Sequence, residues 1–312
     1  CVGLEALRRN GFEVAAVFTH KDDPNENLWF GSVAELAASQ GIPAYAPEDI
    51  NHPLWVKRIQ ALKPDIIFSF YYRHMVKRPI LEIPRAGCLN LHGSLLPAYR
   101  GRCPINWVLV HGEKETGVTL HYMTPKADDG DIVAQKRIPI SGDDTARSLN
   151  EKATRAVAVM LDEVLPKIRA GRAPRRTQDH SKASYFGGRR PADGEIDWKQ
   201  SATRVRNLVR AVTKPYPGAF THLGSKKCLL WAVTEVPKKG KAGIGPGAVI
   251  STDPLVVACK TGAVRIDFGQ LEGGVYTSGP RLAEELNLVK GMKLGPNVAK
   301  RAEAMRKKSV LI

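Results

Sequence analysis

The sequence predicts an α/β protein: a Rossmann-like, mostly parallel sheet with helices on both faces, followed by a small C-terminal β-barrel of OB-like type. Three observations predict it. Short apolar runs alternate with helical patterns through residue 170, as βαβ units do. A basic, glycine-rich stretch without period interrupts that pattern at residues 172–194. Beyond it, short apolar segments are spaced by glycine and proline, the rhythm of a small barrel or sandwich.

Each element has its own signal. "CVGLEALRRNGFEVAAVFTH" reads as a helix running into a strand, and such a helix ordinarily follows a strand, so a first strand is expected before Cys1. "SVAELAASQGI" is an amphipathic helix closed by Gly41. "PDIIFSF" is a continuous apolar run led by proline, the mark of a strand buried on both faces. "AGCLNLH" is the next such run, and "TGVTLHYM" and "DIVAQKRIPI" alternate as strands do. "TARSLNEKATRAVAVMLDEVLPKI" keeps helical spacing over several turns until Gly171. "SATRVRNLVRAV" is a second amphipathic helix, and "GAFTHL", "KCLLWAVTEV", "GAVIST", "PLVVAC" and "AVRIDFGQL" are the barrel strands. The resulting division is a catalytic domain over 1–176, a linker over 177–194 and a barrel over 195–295. A basic linker over 296–312 follows, ending in an apolar "SVLI" that reads as the start of a further strand.

Composition narrows the class. At 312 residues and 43% hydrophobic, the chain can bury two cores. Cys1, Cys88, Cys103, Cys228 and Cys259 form no CxxC pair, so neither a zinc site nor a disulfide framework is indicated, and reduced thiols point to the cytoplasm. No window approaches the ~18 apolar residues of a membrane span. The net charge of +16 divides into +1 for residues 1–170 and +15 for residues 171–312. A basic half suits a polyanionic partner, or plain solubility.

Asn90 and His92 lie two residues apart at the carboxyl end of "GCLNLH", on one face. Open α/β sheets bind ligands at that end. "ADDGDIV" places Asp128, Asp129 and Asp131 in a glycine-hinged loop before another strand. An amide, an imidazole and a carboxylate can together bind an oxyanion, move a proton and raise the pKa of the group that moves it. From these residues alone, a capped strand end and an ordinary turn stay open as the alternative. GxGxxG and GxxxxGK[ST] are absent, although a dinucleotide loop would follow the strand expected before Cys1, and the absence of GxSxG around Ser94 disfavours serine hydrolase chemistry. His74 and His121 read as packing or surface histidines.

"LNLHGSLLPAYRGRCPINW" followed by "ADDGDIV" resembles the core of the folate-dependent formyltransferases, with their N-x-H, SLLP loop and D-x-G. "IDWKQSATRVRNLVRAVTKPYPGAF" is similar to the start of the C-terminal barrel in the tRNA and polymyxin-resistance branches, so the resemblance covers nearly the whole chain. The tRNA branch carries a long basic loop after its second strand. Here "THKDDPNENLWFGSV" sets one lysine against Asp22, Asp23 and Glu26. "VFTHKDDP", "APEDINHPLW" and "FSFYYRHMV" instead resemble the formyltransferase domain of the bifunctional polymyxin-resistance enzymes.

The resemblance implies transfer of a formyl group from N10-formyltetrahydrofolate to the 4-amino group of UDP-4-amino-4-deoxy-L-arabinose, a cytoplasmic step of lipid A modification. It implies no metal, no nucleic-acid partner and no membrane insertion. Asn90 would bind the oxyanion, His92 would shuttle the proton, and Asp128 would hold His92 and raise its pKa. The pterin would rest on the backbone of His74, Met75 and Val76 and on the loop Thr124, Pro125, Lys126, Ala127 and Asp128, with Arg102 nearby. A following NAD-dependent decarboxylase domain is implied too; the full-length protein would oligomerise through it, and this chain would be a monomer. Methionyl-tRNA formyltransferase and a non-catalytic folate- or nucleotide-binding module remain the rival readings.

Overall fold

Residues 1–20, 31–237 and 244–295 are described by a computed structural model. The acidic loop around Asp22, Asp23 and Glu26 and the basic stretch 296–312 lie outside the described residues. The chain divides into two units: 1–105 with 114–141 and 148–188, and 106–113 with 142–147 and 189 onward.

The first unit is organised around strand alternation. Its elements run α1 (Val2–Arg9), β1 (Val17–Phe18), α2 (Val33–Ser39), β2 (Ala44–Tyr45), α3 (Pro53–Leu62), β3 (Ile67–Phe70), α4 (Arg78–Leu81) and β4 (Cys88–His92). There follow β5 (Arg100–Gly101), α5 (Pro104–His111, assigned to the second unit from residue 106 on), β6 (Glu115–Tyr122), β7 (Ile132–Pro139), α6 (Ala146–Arg169) and β8 (Tyr185–Phe186). β1 pairs with β2 and β3 with β4 in parallel, while β6 and β7 add antiparallel to give the order β3-β4-β6-β7. The run "EVAAVFTH" yields only Val17–Phe18 as strand, since its ladder partner β2 offers two residues.

In β4 the two-residue period separates the faces. Leu89 and Leu91 are fully buried, and Asn90 and His92 point the other way. The β4–β6 register sets Asn90 opposite His121 and His92 opposite Thr119. Directly opposed residues of an antiparallel pair share a face, so register alone brings His121 to Asn90. α6 buries Leu149, Ala153, Val157, Met160, Leu161, Val164, Leu165 and Ile168, the stripe its 3.6-residue period encodes.

The stretch read as an aperiodic linker is not free chain: residues through 188 belong to the first unit. Arg176 exchanges two backbone hydrogen bonds with Ile132 (2.7 and 2.9 Å), and β8 lies parallel to β5. Backbone pairing to a two-residue strand needs no hydrophobic period, so the sequence pattern carries no trace of it.

The second unit holds α7 (Ala202–Val212), β9 (Ala219–Leu223), β10 (Lys226–Val236), β11 (Val249–Thr252), β12 (Leu255–Ala258), β13 (Ala263–Leu271), β14 (Thr277–Ser278) and α8 (Gly279–Glu285). Ser201 caps α7 by accepting from the Arg204 N–H at 3.2 Å. The sheet order is β11-β12-β13-β10-β9, with β14 on β13. Its two edges are joined by residues 291–295. Gly291 and Leu294 donate to Val249 and Gly247 on the β11 side, and Gly295 exchanges two hydrogen bonds with His222 of β9. The sheet therefore closes as a barrel, over a core that includes Trp198, whose Nε1 donates to Thr221 Oγ1 at 2.9 Å.

Candidate active site

Four side chains, Asn90, His92, His121 and Asp128, converge at the carboxyl end of β4. Asp128 stands in the left-handed region (φ +53), and its carboxylate is turned back toward the sheet. Oδ1 lies 3.5 Å from His92 Nδ1, 3.4 Å from His121 Nε2 and 3.5 Å from Asn90 Nδ2. Oδ2 accepts the Gly101 N–H at 2.8 Å. His92 and His121 are 5% and 2% exposed, so these groups interact away from bulk water.

The carbonyl partners fix both imidazole tautomers. His92 Nε2 is 2.7 Å from the Tyr99 carbonyl, which can only accept, so Nε2 carries a proton and the neutral ring keeps its lone pair on Nδ1. His121 Nδ1 likewise donates to the Tyr122 carbonyl at 2.8 Å. Its Nε2 then accepts from Asn90 Nδ2 at 3.1 Å. The second Asn90 amide hydrogen has only the long contact to Asp128, and a stronger acceptor would take it readily.

Burial is the largest influence on His92 and brings its pKa below 6.5, although Asp128 and the Tyr99 carbonyl pull upward. The expected rise from Asp128 is thus a real contribution that desolvation outweighs. At Asp128 itself, burial pushes the pKa up. The His121 contact, His92 and the Gly101 N–H more than offset this and hold it below the ordinary carboxylate value. The pair therefore rests as neutral imidazole beside carboxylate. Such a site can accept a proton on His92 Nδ1 and stabilise the cation that results.

Two glycines fix the loops. A Cβ at Gly130 would stand 2.1 Å from the Tyr122 carbonyl oxygen, so only glycine lets the Asp128 loop approach β6. Gly101 has φ +96, and a Cβ there would stand 2.2 Å from the Phe186 oxygen. The SLLP loop is held by Thr119, whose hydroxyl donates to Ser94 O (2.6 Å) and accepts from Leu96 N (3.2 Å).

Both halves of the chain match one family: residues 3–165 match "Formyl transferase" and residues 189–286 match "Formyl transferase, C-terminal domain". The chain belongs to the formyl transferase family. Its fold is shared with WlaRD, a sugar 3N-formyltransferase solved with dTDP and 5-N-formyl-THF, at TM-score 0.64 and 20% identity over 84% of this chain and 91% of that one. An N-formyltransferase from Helicobacter canadensis, solved with folinic acid and dTDP-3-aminofucose, matches at TM-score 0.64 and 22% identity over 84% and 93% of the two chains. HypX from Aquifex aeolicus in complex with tetrahydrofolic acid matches at TM-score 0.59 and 20% identity, over 86% of this chain and 46% of HypX. The chain thus spans about half the length of HypX.

In this member of the family, the structure brings Asn90, His92 and Asp128 together and adds His121, which the sequence alone reads as a packing or surface histidine. The residues expected to hold folate fall in two segments. Val76 is buried in a cluster with Ile50, Ile59 and Ile80, against which Met123 packs, so the 74–76 segment lies beside the start of the 124–128 loop. Asn51 clamps the first segment, donating to Met75 O at 2.9 Å and accepting from Lys77 N at 2.7 Å. Between them, the Val76 N–H and C=O take no partner among the described residues. One free donor and one free acceptor on a fixed edge fit a pterin-like heterocycle. His74 and Met75 are exposed, and Thr124 Oγ1 is tied to Lys126 O at 2.8 Å. Arg102 is also exposed, its guanidinium against Gly188, while its neighbour Arg100 is buried. Among the described residues, no group of three or more His, Cys, Asp or Glu is arranged to hold a metal ion, and no helix is long and apolar enough to cross a membrane.

Proposed function

We propose that this chain transfers a formyl group from N10-formyltetrahydrofolate to the primary amine of a nucleotide-linked aminosugar, with UDP-4-amino-4-deoxy-L-arabinose as acceptor. The observation that carries the reading is the buried convergence of Asn90, His92 and Asp128 in a chain matching both formyl transferase domains. The two sugar N-formyltransferase structures share its fold over most of their length. The uridine-linked pentose rests on the likeness of "APEDINHPLW" and "FSFYYRHMV" to the polymyxin-resistance enzymes.

The folate delivers the formyl group as an activated amide when bound, against Val76 and the 124–128 loop. His92 Nδ1, kept neutral by burial, takes the proton that the attacking amine loses. Asp128 stabilises the imidazolium, which then returns the proton to the departing nitrogen. The Asn90 amide donates to the oxygen that gains charge, exchanging its long contact to Asp128 for a shorter one.

Purified protein assayed with formyl donor and each acceptor tests this. Turnover of the UDP-aminosugar, with a KM nearly flat between about 50 and 200 mM salt, is the expected result. Formylation of charged initiator tRNA instead, with affinity falling about 1000-fold over that range, would overturn it.

A further inference from the structure

The mechanism uses Asp128 but leaves unexplained what holds a carboxylate-bearing residue at φ +53 against two buried histidines. Backbone in that region is strained for any residue with a Cβ and persists only where surroundings over-determine it. Next to Asp128 lies a buried arginine that takes no part in the chemistry. Arg100 is 1% exposed. Its NH1 donates to Asp129 Oδ1 (2.5 Å) and to the Tyr185 hydroxyl, and its NH2 donates to Gln178 Oε1 at 2.7 Å and lies 3.0 Å from His180 Nδ1. Gln178, also buried, turns its amide the other way: Nε2 donates to the carbonyls of Asp128 (2.9 Å) and Gly130 (2.6 Å).

The three residues of the D-D-G turn are therefore each gripped from one side. Gln178 holds the backbone of Asp128 and Gly130, Arg100 holds the side chain of Asp129, and the Gly101 N–H holds the side chain of Asp128. A buried guanidinium costs several kcal/mol to desolvate unless its donors are met. Here its two terminal nitrogens are met by the turn and by the side chains at 178, 180 and 185.

We propose that Arg100 and Gln178 form a clamp that sets the Asp128 carboxylate on His92, so that both are positioning residues for proton transfer. The proposal rests on the formyl-transfer reading for its kinetic consequences, and on geometry alone for its effect on His92.

The test is a double-mutant cycle of Gln178→Leu and Asp128→Asn, with His92 followed by NMR titration of its ring in the intact chain. Gln178→Leu is near in volume and leaves Arg100 paired with Asp129. It is expected to lower kcat about 100-fold, the scale of an ångström-level misplacement, with KM for both substrates within a few-fold. The His92 titration should move to lower pH, because the carboxylate that pulls it upward has drifted. In the Asp128→Asn background, Gln178→Leu should cost nothing further and shift nothing. Arg100→Lys, which keeps the charge but loses the fork, should act in the same direction. An equal kcat loss in both backgrounds, or an unmoved His92 titration in a folded Gln178→Leu variant, would overturn the clamp. Absence of formyl transfer in the wild type would instead overturn the proposed reaction while the titration still reads the clamp.

Discussion

Replacing Asp128 by Asn tests the electrostatic core of the site most directly. The carboxylate lies 3.5 Å from His92 Nδ1, and both side chains are at most 10% exposed. With an effective dielectric constant near 20, unit charges at that distance attract by about 4.7 kcal/mol, which the substitution removes from the imidazolium but not from the neutral ring. At about 1.36 kcal/mol per tenfold, the proton-transfer step slows by roughly 3000-fold. Asn also brings an N–H that can donate to Nδ1 and occupy the base. Steady-state kinetics should show the loss in kcat, with both KM values little changed, and NMR should show His92 titrating lower than in the wild type. A kcat within tenfold of wild type, or an unchanged titration, would refute the reasoning.

Four further outcomes are expected. Asn90→Ala should reduce kcat on the order of 100-fold or more in steady-state assays, by removing the only side-chain amide in the constellation. Acidification should weaken folding in two stages. His92 titrates below 6.5 when folded, so the unfolded chain binds the extra proton and stability falls as pH drops through 6.5. Asp128 titrates below 3.8 when folded, so its contribution is present above that value and fades beneath it. Thermal unfolding across pH should show a smaller first stage in His92→Gln, with His111, also depressed by burial, supplying the remainder. Gly130→Ala should cost about 1–3 kcal/mol in denaturant unfolding, because the new methyl meets a backbone carbonyl and not a yielding side chain. Trp198→Phe should cost about 1–3 kcal/mol, by leaving the buried Thr221 hydroxyl without its donor.

What the sequence revealed and what it hid follow from how each feature is encoded. The alternation Leu89-Asn90-Leu91-His92 is a local period, so both the strand and the face bearing the catalytic pair could be read from it. The stripe along α6 is local in the same sense. His121 was not legible, because it reaches Asn90 through the register of two strands 31 residues apart, and no single stretch records a register. Gln178 and the burial of Arg100 were hidden for another reason. Arginine in a proline- and glycine-rich loop ordinarily reads as solvated, and the strip carrying Gln178 has no hydrophobic period because backbone pairing and side-chain hydrogen bonds hold it. The sequence accordingly favoured Arg102, which is exposed, over the buried arginine two residues before it.

The segment 291–295 that joins β9 to β11 has a consequence for handling the protein. Two raw strand edges meet on one short seam, so a single cut or unzipping event on the N-terminal side of Gly291 bares both at once. Exposed edges recruit strands from other molecules. Fragments ending shortly before that seam should associate through paired edges and drop out of solution, whereas those ending beyond Gly295 keep the sheet sealed. The barrel thus depends for its sealed edges on five residues, of which Leu294 alone is buried in its core.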